Sequence, residues 1–191
     1  SHYDPEEEVR QLRAFAAHNP AGVILAGTER LENLETMANE AGCPVVQTID
    51  CSLKMNGLAV GINHRLAAAA ATRHLLAQGY RRIAMLGCGH DIRVRLRQSG
   101  YCEVMQQAGL FDEGLIVWQD APPSIHLGSR LIRRLIEQRP DVDGVLCHSD
   151  DLALGVIFES QRLGIRVPDD FGICGFNDLD YATSTEPSLT T

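Results

Sequence analysis

The sequence VLCHSDDLALG, which runs from Val145 to Gly155, is an apolar run that ends abruptly in polar and acidic residues and then opens a helix. A second run, GICGFND from Gly172 to Asp178, ends in the same way. The two patterns predict neighbouring strands whose carboxyl ends carry polar groups. Open α/β sheets bind small molecules at that edge, so we expect a ligand site there.

Strands and helices are predicted to alternate along the chain on both sides of these runs. The apolar patterns predict strands at 23–26, 44–49, 58–60, 82–87, 115–118, 144–147 and 171–176. They predict helices at 5–18, 29–41, 63–76, 94–108, 124–138 and 151–163. Such alternation predicts an α/β fold in which helices cover both faces of parallel sheets.

The segment 49–61 interrupts the alternation, because it carries Asp, Cys, Ser, Lys, Asn and Gly where a covering helix is expected. We interpret it as a connection from one small sheet to another, which predicts two lobes. The first lobe is then too short to be a complete domain, and the chain stops at Thr191 in a connecting strand. We therefore expect a piece of a longer protein.

The composition is that of an ordinary globular protein, with 191 residues of which 45% are hydrophobic and 22% charged. The formal net charge of −8 disfavours direct attachment to nucleic acid, which depends on clustered Lys and Arg. The acidic amino end has no apolar signal region, and no apolar run reaches the ~18 residues that span a bilayer. We expect neither an export signal nor a membrane partner for this segment.

The six cysteines, at positions 43, 51, 88, 102, 147 and 174, lack the CxxC pairing and the histidine spacing of a zinc site. Cys88, Cys147 and Cys174 lie in or beside apolar strand runs, so we expect them to be reduced core residues. This usage indicates a reducing cytoplasm. The run LGCGH at 86–90 lacks a GxGxxG motif and an acidic partner, so no dinucleotide cofactor and no metal are expected.

Seven short motifs occur in a fixed order along the chain. They are PAGVIL at 20–25, RHLLAQGYRRIA at 73–84, RQSGY at 97–101, SDDLALG at 149–155, GIRVPDD at 164–170, GFND at 175–178 and PSLTT at 187–191. In this order they resemble the motifs of the lactose-repressor and galactose-repressor (LacI/GalR) family of bacterial transcription regulators. Any one of them is weak, whereas seven in order are specific.

The resemblance implies a periplasmic-binding-protein-like fold of two Rossmann-like lobes with a sugar-type effector bound between them. It places a partial amino-terminal lobe at 1–62 and most of the carboxyl-terminal lobe at 63–191. The helix-turn-helix DNA-binding domain of the family is absent from this chain. The resemblance also implies a homodimer that reaches operator DNA through that missing domain, with an operator affinity that the effector alters.

Three residues are candidates for polar contacts with the effector. Arg97 matches an effector-binding arginine of the family, and its guanidinium could hold paired hydroxyls or a carboxylate, although a solvated helix arginine is the alternative. Arg93, four residues earlier in the sequence, is a second candidate. Asn177 matches a hydroxyl-binding position, and its amide can both donate and accept, although a turn-forming role is the alternative.

Four further residues are candidates by position. Ser149 stands where the family often has Asn, and Asp150 beside it could instead cap the following helix. Asp50 could reach the effector from the amino lobe, or be satisfied by local amides. Ile62 matches an apolar wall position, or is ordinary core. Pro123 aligns roughly with an aromatic platform of the family, and the lack of an aromatic there favours a more hydrophilic effector.

The sequence thus predicts the effector-sensing domain of a bacterial LacI-type repressor of carbohydrate or sugar-acid catabolism. Gluconate is the favoured effector, because Arg97 and Arg93 offer positive charge and PPSIHLG at 122–128 resembles gluconate-type regulators. The alternative is a periplasmic sugar-binding protein of a transport system. The histidines and cysteines show no base and nucleophile spacing, so we do not expect an enzyme.

Overall fold

The computed structural model of the chain describes residues 5–26, 42–51 and 58–191. The chain forms two compact units. The amino unit contains 1–64 and 91–93, and the carboxyl unit contains 65–90 and 94–191. The predicted helix at 29–41 lies outside the described residues. In the described ranges, no helix is both long enough and apolar enough to cross a bilayer.

The described part of the amino unit combines a helix with a small parallel sheet. Its elements are α1 (Pro5–Ala16), β1 (Val23–Ala26), β2 (Val45–Asp50) and β3 (Leu58–Ile62), with the strands in the order β1-β2-β3. Strands β2 and β3 are parallel neighbours. The interpretation of 49–61 as a passage between two sheets is therefore wrong. The polar composition of the segment carried no information on which sheet the next strand joins.

The carboxyl unit is built around a parallel sheet in which the described strands have the order β5-β4-β6-β7. Its strands are β4 (Ile83–Cys88), β5 (Ile116–Gln119), β6 (Gly144–Cys147) and β7 (Gly172–Cys174). The helices are α2 (His64–Ala77) and α3 (Ile92–Gln107), whose first residues are assigned to the amino unit, together with α4 (Ile125–Gln138) and α5 (Asp150–Leu163). Short 3₁₀ helices occupy Glu113–Leu115 and Asp180–Thr183.

Helices cover both faces of this sheet, as the alternating pattern predicted. Strands β4 and β6 are buried along their whole lengths. Alternate side chains of β4 enter different clusters: Leu86 packs with the apolar residues of α4 and α5, and Met85 packs with those of α2 and α3. A strand that is buried on both faces reads as a continuous apolar run, which is why β4 and β6 were evident in the sequence.

Helices α4 and α5 touch backbone to backbone through two glycines. A Cβ atom on Gly128 would lie 2.2 Å from the carbonyl oxygen of Leu152, and one on Gly155 would lie 2.1 Å from that of Ile125. The hydroxyl of Ser129 donates a hydrogen bond of 2.8 Å to the carbonyl oxygen of Gly155. This close approach fixes the position of α5 against α4. Helix α5 begins just after β6 ends, at the edge of the sheet that carries the candidate site.

Candidate functional site

Three parallel strands of the carboxyl unit end at the same edge of the sheet. Strand β4 ends at Cys88, β6 leads into His148 and Ser149, and β7 leads into Phe176 and Asn177. The turns after β6 and β7 are joined directly, because the backbone N–H of Asp150 donates to the carbonyl oxygen of Phe176 at 3.1 Å. The two runs that opened the sequence analysis therefore meet as predicted.

Arg97 of α3 is the central charged group at this edge. It is only 7% exposed. Its Nη1 donates to the carbonyl oxygen of His148, and its Nη2 lies 3.5 Å from Oδ1 of Asn177. Its guanidinium carbon lies 3.8 Å from the centroid of the Phe176 ring. A buried cation is tolerated only when hydrogen bonds or an aromatic face replace its hydration, and both are present here.

The structure brings Arg97 and Asn177 together, and Arg97 does not have the exposure that its alternative requires. A solvated helix arginine would be exposed, as Arg95 is on the same helix. Asn177 does lie in a turn with a φ of 124°, but its side-chain oxygen is directed at Arg97. A guanidinium, an amide and an aromatic ring in one cluster provide donors, an acceptor and an apolar face for a small polar ligand.

Ser149, and not Asp150, caps helix α5, and the role of Ser149 in effector binding stays a prediction. The hydroxyl oxygen of Ser149 accepts from the backbone N–H of Leu152 at 3.4 Å, so Ser149 caps α5. The alternative in which Asp150 caps the helix is therefore wrong. Two neighbouring residues could each cap this helix, and the tertiary contacts of Asp150 decided between them.

The carboxylate of Asp150 bonds to two points outside its own helix. One oxygen accepts from the backbone N–H of Leu179 at 2.8 Å, and the other accepts from the hydroxyl of Thr191 at 2.7 Å. Thr191 in turn accepts from the backbone N–H of Asp178 at 3.2 Å. Asp150 is fully buried, so these bonds connect the base of α5 to the turn that carries Asn177.

Sequence reasoning missed the contribution of His148, Phe176 and Cys88. His148 supplies a main-chain carbonyl, which no sequence motif marks, and its ring Nε2 lies 2.9 Å from Sγ of Cys88. Burial raises the pKa of the Cys88 thiol to about 11, so the thiol is protonated at neutral pH. Phe176 was visible as the last apolar residue of its run, and only the fold shows its ring beneath Arg97.

Burial also raises the pKa of the Cys174 thiol to about 12, with a smaller contribution from the charge of Asp150. It raises the pKa of Cys147 as well. Both residues are buried, as is Cys88, which agrees with the expected core role. Protonated buried thiols are weak nucleophiles and weak metal ligands. Over the described ranges, no three His, Cys, Asp or Glu side chains are grouped so that they could hold a metal ion.

The remaining candidates are distributed over both units. In the amino unit, Asp50 ends β2 and is fully buried, and Ile62 ends β3 in register with it and is 48% exposed. Arg93 is ion-paired with Asp91, whose carboxylate oxygens lie 2.8 and 2.9 Å from its Nε. In the carboxyl unit, Pro123 is exposed and directly precedes Ser124, the N-cap of α4. Their roles in effector binding remain predictions.

Comparison with known proteins identifies the domain that contains this site. A family model described as a periplasmic binding protein-like domain matches residues 72–191. The chain is 38% identical over 189 residues to the HTH-type transcriptional regulator GntR of Pseudomonas aeruginosa, covering 99% of this chain and 55% of the relative. The chain therefore spans about half the length of the curated relatives it matches.

Two solved structures are similar over nearly the whole chain. The transcription regulator GntR from Chromobacterium violaceum has a TM-score of 0.91 at 40% identity, covering 99% of this chain and 69% of that one. A LacI-family transcriptional regulator from Silicibacter pomeroyi has a TM-score of 0.92 at 31% identity, covering 98% and 57%. These matches are to regulators, which favours a regulator over the alternative of a transport receptor. The chain belongs to the LacI/GalR family of transcriptional regulators and contains its periplasmic-binding-protein-like domain.

Proposed function

We propose that this chain is the effector-sensing core of a bacterial cytoplasmic repressor of carbohydrate or sugar-acid catabolism. The observation that carries the proposal is the cluster at the edge of the carboxyl unit, where the nearly buried guanidinium of Arg97 contacts the ring of Phe176 and faces the amide of Asn177. The relatives, named as transcriptional regulators, support the same role.

A sugar acid, with gluconate as the favoured example, suits the chemistry of this cluster. Its carboxylate would accept from the guanidinium of Arg97, and its hydroxyls would exchange hydrogen bonds with the amide of Asn177. The 3.5 Å contact between Arg97 and Asn177 is at the limit of a hydrogen bond. A carboxylate oxygen at a shorter distance would form a stronger bond to the guanidinium, since both partners would then be charged.

The regulatory step follows from differential binding. An effector shifts the DNA affinity of the full-length protein only to the extent that it binds two conformations with different affinities. A homodimer would present two DNA-binding heads at the spacing of two operator half-sites. Operator DNA, the dimer and the direction of the effector response all belong to the full-length protein, in which they have to be measured.

The test is calorimetry on the full-length protein with gluconate, 2-ketogluconate, ribose and galactose. The proposal predicts that one of the two acids binds at least tenfold more tightly than either neutral sugar. Binding of a neutral sugar alone would contradict the sugar-acid assignment. The absence of binding to all four by a folded protein would contradict the proposed effector class.

The variants Arg97→Lys and Arg95→Lys test whether the effector binds at the cluster around Arg97. Lysine keeps the charge but cannot form two parallel bonds or stack as guanidinium does. We expect Arg97→Lys to weaken binding of the acid by about 10- to 100-fold, which corresponds to roughly 1.4–2.8 kcal/mol. Arg95 is exposed on the same helix, so its lysine variant is the matched control and should bind as the parent does.

A further inference from the structure

The turn that carries the ligand-facing residues of β7 has an unfavourable backbone conformation. Asn177 has a φ of 124° and Asp178 a φ of 57°. Positive φ values are unfavourable for residues other than glycine, and they persist only when surrounding contacts hold them. The conformation that directs the side chain of Asn177 at Arg97 therefore depends on groups outside the turn.

Asp150 supplies contacts on both sides of this turn. Its backbone N–H donates to the carbonyl oxygen of Phe176, which precedes the two residues with positive φ. Its carboxylate accepts from the backbone N–H of Leu179, which follows them. Through Thr191 the carboxylate is also linked to the N–H of Asp178 itself. One buried residue thus fixes the start, the middle and the end of the turn.

Gly175 confirms that the carboxylate and the turn are fitted to each other. A Cβ atom on Gly175 would lie 2.2 Å from Oδ1 of Asp150, well inside van der Waals contact. Gly175 directly precedes the turn, and a side chain there would displace the carboxylate from its position. Because α5 is capped by Ser149, the carboxylate of Asp150 is not required for capping.

We propose that Asp150 is a positioning residue of the effector site, whose carboxylate holds the turn 176–179 so that Phe176 and Asn177 meet Arg97 in the binding conformation. The proposal rests on the proposed function, because it treats Arg97 and Asn177 as effector contacts. Asp150 acts through the turn and makes no contact with the effector.

The variant Asp150→Asn tests this without a change of size. An amide is uncharged and has one acceptor oxygen, so at most one of the two bonds, from the Leu179 N–H or from the Thr191 hydroxyl, keeps its acceptor, and that acceptor is no longer charged. The matched control is Asp151→Asn, which removes the same charge from the same first turn of α5. Asp151 accepts from the hydroxyl of Tyr181 at 2.7 Å, which lies outside the turn 176–179.

Nuclear magnetic resonance of the full-length protein gives a readout that needs no effector. The Nε–H signal of Arg97 is assigned by its loss in Arg97→Lys. We expect Asp150→Asn to shift or broaden this signal and Asp151→Asn to leave it in place. An unchanged signal in Asp150→Asn would overturn the proposal, whether or not any effector is known.

Calorimetry with gluconate then tests the consequence for binding. We expect Asp150→Asn to bind gluconate at least tenfold more weakly than the parent, and Asp151→Asn to bind within a factor of two. A second substitution, Asp178→Gly, should restore most of the affinity in the Asp150→Asn background, since glycine adopts a positive φ without strain. Equal affinities of Asp150→Asn and Asp151→Asn, or no rescue, would overturn the proposal.

The two hypotheses fail in different ways. If the parent protein binds neither gluconate nor the other sugars, the proposed function fails, and the Arg97 signal alone decides the positioning role. If the parent binds gluconate but Asp150→Asn binds equally well, the proposed function stands and the positioning role fails.

Discussion

The guanidinium carbon of Arg97 lies 3.8 Å from the centroid of the Phe176 ring. The two residues come from α3 and from the turn after β7, and both are nearly buried. A cation above an aromatic face contributes about 0.5–2 kcal/mol, with the larger values where water is excluded. The contact therefore stabilises the guanidinium of Arg97 and orients it toward the proposed effector site.

Replacement of the Phe176 ring tests this contact. We expect Phe176→Leu to weaken gluconate binding by about 3- to 10-fold, because leucine preserves an apolar side chain but removes the aromatic face. The control is Phe171→Leu, at a buried phenylalanine of the other apolar cluster. It should lower the unfolding temperature without changing the affinity, as measured by calorimetry. Equal losses of affinity in both variants would indicate a general effect of core packing.

A negative charge next to Arg97 should discriminate between acidic and neutral effectors. Asn177→Asp would create an ion pair with the guanidinium and compete with the carboxylate of a sugar acid. We expect the affinity for gluconate to fall at least tenfold, with a smaller change for any neutral sugar that binds. Asn19→Asp is the matched control, since Asn19 is an exposed asparagine that also has a positive φ, of 48°. A uniform loss for acids and neutral sugars would contradict the assigned role of the charge.

The buried thiols predict a loss of stability at alkaline pH. Burial raises the pKa of Cys88 from 9.0 to about 11, so the unfolded chain releases this proton at lower pH than the folded one. Stability is then fully present below pH 9 and falls as the pH rises through about 11. Denaturant titrations at pH 7, 9 and 10.5 should show a smaller decline for Cys88→Ala than for the parent. Cys51→Ala, at an exposed cysteine, should decline as the parent does.

The contact between α4 and α5 predicts that a larger residue at Gly155 is destabilising. In an open helix, Gly→Ala is stabilising by up to about 1 kcal/mol. Here the new methyl would lie 2.1 Å from the carbonyl oxygen of Ile125, so the helices must separate. We expect Gly155→Ala to lower the free energy of unfolding by about 1–3 kcal/mol, measured by denaturant titration. Ser129→Ala, which removes only the hydroxyl bond at this contact, should cost about 1 kcal/mol, and a stabilising Gly155→Ala would disprove the steric argument.

The amino-acid sequence predicted much of the carboxyl unit because β4, β6 and β7 are buried along their lengths and because α4 and α5 begin after serine caps. Strand β6 has the predicted bounds, and α4 begins one residue after the serine at which the helix was expected to open. The predicted strand 171–176 is shorter, with β7 at Gly172–Cys174. Its last apolar residue, Phe176, packs beneath a charge instead of extending the sheet. An apolar pattern indicates burial, but it does not distinguish a residue that pairs within a sheet from a buried residue of a turn.

The partners of Arg97 show what a single sequence cannot supply. They lie 51 and 80 residues further along the chain, and one of them is a main-chain carbonyl. Every residue has such a carbonyl, so its selection depends on how the strands are ordered in the sheet. The same holds for Asp150, whose carboxylate is used by residues 29 and 41 positions away. Local patterns placed these residues at the right edge, and long-range pairing gave them their roles.

The contacts of Arg97 with His148, Asn177 and Phe176 also affect the entropy of binding. A free arginine side chain has about 2 kcal/mol of rotamer entropy. Because the folded chain already confines this side chain, an arriving effector has little of that freedom left to remove. The cluster is preorganised, because the entropy of confining Arg97 is lost when the chain folds and not when the effector binds. This raises the affinity for the effector. Substitutions that loosen the partners of Arg97 should therefore appear in calorimetry as a less favourable entropy of binding, even where the enthalpy of the new contacts is retained.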